Sequence, residues 1–177
     1  PSLISNWDKR KVTRKSDGIE LRGGIVVGSV TGQGEQVIRG LDGNSFSLDA
    51  KVAFKPAVTL NGLYGSLFVP ESMENVEIDG REVRLPRKFT KLTVFNSNKV
   101  DVLKLRLSGG LSLTVGGPFK LAIQDNRKFD QPNFSLRFGF SQSSGEISES
   151  ALQLKFTIDT VKNRSVDISG IANRGFA

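Results

Sequence analysis

Four carboxylates crowd one short stretch of the chain: Glu71, Glu74, Glu77 and Asp79. Two well-placed acids are enough to cleave a glycosidic bond by general acid–base catalysis, so this is the first place to look for chemistry. Their position between strand patterns nevertheless reads as a solvated turn. A further acid, Asp125, stands two residues before Arg127, a spacing that suits an ion pair at a strand end. The stretch Gly23 to Gly34 is rich in glycine, but Gly32-Gln33-Gly34 has no third glycine in register. No Gly-Lys-Ser/Thr follows it, so neither phosphate-binding pattern is completed. Serine and lysine are plentiful, yet no Ser-x-x-Lys spacing falls in a context fit for a nucleophile. The chain contains no histidine and no cysteine. That removes the commonest general base, thiol nucleophiles, disulfides and the N and S ligands of transition metals. An all-oxygen metal site would need an Asp-rich loop, which is missing. The expectation is a protein that is not an enzyme, with no catalytic residues, no metal and no cofactor.

Charge points instead to binding. Lys and Arg number 25 against 18 Asp and Glu, a formal net charge of +7, which draws a protein to polyanions. Residues 1–20 carry Lys9, Arg10, Lys11, Arg14 and Lys15, preceded by the apolar Leu3, Ile4 and Trp7. This reads as a basic N-terminal arm that tracks phosphates and docks its apolar group on a neighbouring subunit. Lys104 and Arg106 project together from one strand face as a fixed basic patch. Other concentrations are Arg84, Arg87, Lys88 and Lys91, and then Arg127, Lys128 and Arg137. Outward aromatic side chains on strands would supply stacking platforms. Most of the 12 Phe share the inward register with Leu and read as core.

The elements that must position these residues announce themselves by alternation. Leu103, Leu105 and Leu107 alternate with Lys104 and Arg106; Leu111, Leu113 and Val115 with Ser112 and Thr114. Phe134, Leu136, Phe138 and Phe140 form another such run, and Leu152, Leu154, Phe156 and Ile158 a fourth. A period of two turns one set to a core and the other outward. Asp42-Gly43 and Asp79-Gly80 lie between such runs and mark hairpins. A two-residue turn at Asp79-Gly80 sets Val76 opposite Val83. At Ser108-Gly109-Gly110 a two-residue loop would mix the faces, whereas a three-residue loop aligns Leu107 with Leu111 and Leu105 with Leu113; the latter is expected, with a left-handed glycine. The fold class that follows is all-β, an antiparallel sandwich with the jelly roll as its candidate form. It should have roughly nine to twelve strands and at most one or two short helices. Residues 21–177 are read as the single β domain, and no apolar run is long enough to span a bilayer.

A basic arm on a Cys-free and His-free β domain with short strands and Gly turns resembles small viral structural proteins, both jelly-roll coat and matrix proteins. The segment Gly116 to Arg127, a glycine, an alternating strand and then Asp-x-Arg, is similar to a segment of plant-virus movement proteins, in which Asp125 would be the strand-end acid. The resemblance implies a non-catalytic viral structural protein that self-assembles and binds RNA or nucleocapsid nonspecifically. It would be a homo-oligomer, with RNA or another polyanion as partner and an anionic membrane as a further one. Its place would be the virion or host cytoplasm, neither secreted nor membrane-spanning. A membrane-surface matrix protein, a movement protein and a carboxylate hydrolase are the alternative readings.

Overall fold

A computed structural model of the protein describes residues 7–160. Eleven strands form one continuous antiparallel system. They are β1 (Trp7–Lys15), β2 (Gly18–Val27), β3 (Val30–Asp42), β4 (Ser45–Leu60), β5 (Tyr64–Pro70), β6 (Asn75–Ile78), β7 (Arg81–Arg84), β8 (Thr93–Arg106), β9 (Leu111–Asp125), β10 (Asn133–Gly139) and β11 (Gly145–Thr160). Among the described residues there is no α-helix. The helical content is two 3-10 turns, at Ser108–Gly110 and Asn126–Phe129. The all-β sandwich expected from alternation is what forms.

The large sheet runs β1-β2-β3-β4-β11-β9-β8-β6-β7, and a small sheet, β5 beside β10, joins it through β9. Strand β9 is the shared element. Its first half, Leu111 to Gly116, pairs with β11, and its second half, Lys120 to Asp125, pairs with β10. On its other side β8 follows it almost throughout, with register shifts between Ser97 and Val100 and between Val100 and Val102. Extra residues on one strand bend the pair and increase its twist. These shifts lie where β9 changes partner, so the small sheet folds over the large one at that point. Between the layers lie Phe54, Leu103, Leu105, Leu121, Ile123, Phe134, Leu136, Phe138 and Ile147, each nearly inaccessible to solvent.

The turns follow their residues. Ile78 pairs with Arg81 and Val76 with Val83, around Asp79 at φ 48° and Gly80 at φ 76°, the double positive φ of a type I′ turn. At the β8–β9 hairpin Leu105 pairs with Leu113, and the Leu107 N–H donates to the Leu111 carbonyl at 2.8 Å. The loop is therefore Ser108-Gly109-Gly110, with both glycines left-handed. The β3–β4 hairpin closes one step later than its Asp42-Gly43 signal suggests. Asp42 pairs with Ser45 after an irregularity beyond Gly40, and its carboxylate accepts the Asn44 N–H.

The basic run at the start is part of the sheet. Lys11 to Lys15 pair with Arg22 to Gly18 of β2, so the line drawn at residue 20 falls inside a hairpin. β1 is an edge strand, irregular between Asp8 and Lys11, and Lys9 has φ 48°. Positive charge and a bulge on an edge are common devices against pairing with another chain. Leu3 and Ile4 lie outside the described residues, as does the side chain of Trp7.

Gly109 has φ 73°, and a Cβ there would meet no atom within 4 Å. Gly109→Ala should therefore cost only backbone strain, about 1 kcal/mol. The expected result is a lower urea midpoint with an unchanged denaturant slope.

Candidate functional site

The small sheet does not cover the large one completely. Cross-strand register places Val12, Leu21, Gln36, Ala50 and Leu152 in one row and Arg14, Ile19, Ile38, Leu48 and Leu154 in the next, on the inner face. At the β4 and β11 end these rows are sealed, with Ala50, Leu152 and Leu154 each 4% exposed. Toward β1 they open to solvent, with Ile19 40% and Val12 54% exposed. A groove lies where the cover stops. Its floor is Ile25, Leu48, Ala50, Val52 and Leu152, and its overhanging wall is Leu63, Tyr64, Gly65 and Phe140. It measures about 50 Å³ and opens to solvent, so a ligand would rest against it rather than be enclosed.

Local chemistry explains the wall. β5 pairs with β10 alone, leaving its outer edge free above the floor. Gly62 and Gly65 allow the close approach: a Cβ on Gly62 would fall 2.5 Å from the Tyr64 ring, and one on Gly65 would fall 2.9 Å from the Leu152 side chain. Polar groups in the lining are few, which is the usual composition of a small-molecule site. They are Gln36, Tyr64, Glu35 and Lys51. Glu35 and Lys51 are opposed across β3 and β4, one pleat away from Gln36 and Ala50. The Glu35 carboxylate lies 3.4 Å from the Arg22 guanidinium.

Arg22 belongs to a charged row on the outer face of the large sheet. Lys15 Nζ and Arg22 Nε each approach Glu20 at 2.6 Å, and the hydrogen bond from Lys15 holds the Glu20 carboxyl below its ordinary value. Lys15 is thus spent on an internal carboxylate. Arg10, Lys11 and Arg14 are exposed on the strand, as is Lys9. Lys104 and Arg106 do share a face, as the alternation requires, but beside them stand Asn75, Glu77 and Glu82 in a small polar hollow. Glu77 is directly opposite both Glu82 and Lys104. The patch is therefore of mixed charge.

The clustered acids do not converge. The Asp79 carboxylate accepts the Asp101 and Val102 N–H groups at 3.0 and 2.8 Å, which satisfies backbone freed by the β8 irregularity. Glu74 pairs with Arg87 at 2.8 Å, and Glu71 lies 3.9 Å from Arg127. Asp125 ends its strand, as read, and is fully buried. Its two oxygens take Arg127 Nε at 2.9 Å and a terminal nitrogen at 2.6 Å, a bidentate pair. The same guanidinium donates to the carbonyls of Pro86 and Arg87 and lies 5.0 Å over the Phe134 ring. The pair ties the loop after β7 to the end of β9. Among the described residues no group of three potential metal ligands comes together, and no helix is long and apolar enough to cross a membrane.

No family model matches the chain, and no curated protein matches it. Among solved structures it is similar to a protein of Escherichia coli K12 assigned as an aldose 1-epimerase, with a TM-score of 0.60 and 10% identity. The likeness covers 85% of this chain and 68% of that one, and at such identity it is a likeness of fold. It corrects the functional expectation. The fold is shared with a protein assigned as an enzyme of sugar chemistry and with nothing viral in the comparison, and on that finding the non-catalytic coat-like expectation is corrected. Tyr64 and Gln36 were missed because neither stands in a motif.

The Arg127 hydrogen bonds hold the Asp125 carboxyl below its ordinary 3.8, against the opposing effect of burial. A carboxyl whose folded pKa is depressed stabilises fully above its unfolded pKa and loses that contribution as pH falls through the folded value. Asp125→Ala should therefore cost on the order of 3 kcal/mol at pH 7, because it strands Arg127. The gap in urea midpoints between variant and parent should persist to about pH 4 and shrink only in stronger acid.

Proposed function

We propose that this chain is a sugar-directed β-sandwich whose groove at Tyr64 receives an aldose in its ring form. The observation that carries the reading is an apolar floor bearing one amide, with one aromatic residue at its rim, at the open margin of a sandwich like that of a protein assigned as an aldose 1-epimerase. Fold alone assigns no chemistry; the groove supplies the site. A pyranose offers a face of C–H bonds and a rim of hydroxyls. The face suits the Leu48 and Leu152 side chains of the floor, with Tyr64 at the rim. The Gln36 amide, with two donors and an acceptor, suits neighbouring hydroxyls.

Exchange of anomers requires one group to take the proton of the anomeric hydroxyl and another to give a proton to the ring oxygen. With no histidine in the chain, Tyr64 at the rim is the lining residue suited to one of those roles; the Glu35 carboxylate turns to the outer face of the sheet, toward Arg22.

Titrating isotope-labelled protein with glucose and with galactose should shift the amide signals of Gln36, Leu48 and Tyr64 together. Tyr64→Ala should weaken that binding by roughly tenfold. Polarimetry of a freshly dissolved α-anomer measures exchange, which Tyr64→Phe should slow. Shifts scattered elsewhere, or none with any aldose, would remove the groove as the site.

A further inference from the structure

The outer face of the small sheet carries a second set of side chains. Register sets Tyr64, Gly139 and Lys120 in one row, Ser66, Arg137 and Ala122 in the next, and Phe68, Ser135 and Gln124 in a third. Tyr64 and Phe68 are four residues apart on the same side of an edge strand, about 13 Å at a strand's rise. Phe68 is 59% exposed, although a Phe on a half-buried strand is normally turned to the core. Between and beside the rings the positions are small, with Ser66 and Ala122 half-buried and Ser135 and Gly139 buried.

Arg137 stands in the middle. Its guanidinium lies 6.0 Å from the Tyr64 ring centroid, and among the described residues it has no carboxylate or carbonyl partner, unlike Arg127. It therefore keeps a planar fork of donors free for a ligand. Lys120 lies two positions away and, among the described residues, donates to the Ser143 hydroxyl at 3.4 Å.

We infer that this face binds a polysaccharide bearing carboxylates, a polyuronate, with sugar rings against Tyr64 and Phe68 and a carboxylate in the fork of Arg137. Charge complementarity selects the occupant. A guanidinium fork matches a planar carboxylate with two parallel hydrogen bonds, the rings match the C–H faces of the sugars, and the net charge of +7 favours a polyanion. The inference rests on the sugar-directed reading but uses the opposite side of β5 from the groove floor, sharing with the groove Tyr64 at the start of that strand.

The test compares three probes by calorimetry and amide chemical shifts: a galacturonate hexamer, its methyl ester, and polyuridylate. The hexamer should bind with shifts at Ser66, Phe68, Arg137 and Ala122, and the uncharged ester about tenfold more weakly. Arg137→Gln and Phe68→Ala, both at the surface, should each weaken the hexamer by about tenfold. Lys88→Gln, elsewhere on the surface, should leave it unchanged. Equal binding of hexamer and ester, indifference to Arg137→Gln, or equally tight polyuridylate binding would each overturn the proposal. A hexamer that does not bind, while glucose or galactose still shifts Gln36 and Leu48, overturns this inference and leaves the groove standing. If neither sugar binds, both fall.

Discussion

Everything in this molecule depends on one strand serving two layers. β9 is 15 residues long, and no regularly paired partner follows it across the point where the sheet folds over. It changes partner there, from β11 to β10, while β8 stays beside it by accepting two irregularities. Irregular pairing leaves backbone groups without their ladder partners, which is costly when water is excluded. The Asp79 carboxylate answers that need by taking the N–H groups of Asp101 and Val102. At the far end the buried Asp125–Arg127 pair anchors the strand and the loop after β7 together. Two of the acids that invite a catalytic reading are thus committed to making the fold possible.

The groove is a geometric consequence of the same arrangement. The small sheet has only β5 and β10 beyond the shared strand, so it is narrower than the layer it covers. Its free edge stops above β3 and β4, leaving an apolar face that is sealed on one side and open on the other. Tyr64 sits at that boundary because β5 begins there. The outward aromatic and cationic residues of β5 and β10 then follow from the pleat alone, since the inward positions are taken by Leu67, Val69, Leu136 and Phe138.

Charge is distributed differently from what the composition suggests. The basic N-terminal run lies on the most exposed edge of the sheet, where positive side chains discourage strand addition, and Lys15 is tied to Glu20. Lys104 and Arg106 face two glutamates. Arg137 is the more available cation although no charge stands beside it in the sequence, because its neighbours in space are an aromatic ring and small residues. Density of charge along a chain and availability of charge on a surface are separate properties.

What the sequence determined by itself is what periodicity and turn chemistry can carry. Alternating Leu and Phe runs specified strands and their inward faces. Asp79-Gly80 set a two-residue turn, and the requirement that both apolar sets share a face set the three-residue loop at Ser108-Gly109-Gly110. Asp125 and Arg127 were legible as a strand-end pair because they are two residues apart. The tertiary structure decided the rest, because it depends on contacts between residues far apart in the chain. Only the folded chain brings Tyr64, Gln36 and Leu152 to one groove, leaves Arg137 without a carboxylate among the described residues, turns Glu77 toward Lys104, and makes residues 7–15 of the expected arm into an edge strand. None of these juxtapositions has a period or a motif, since each is set by where β9 changes partner and by how far the smaller sheet reaches.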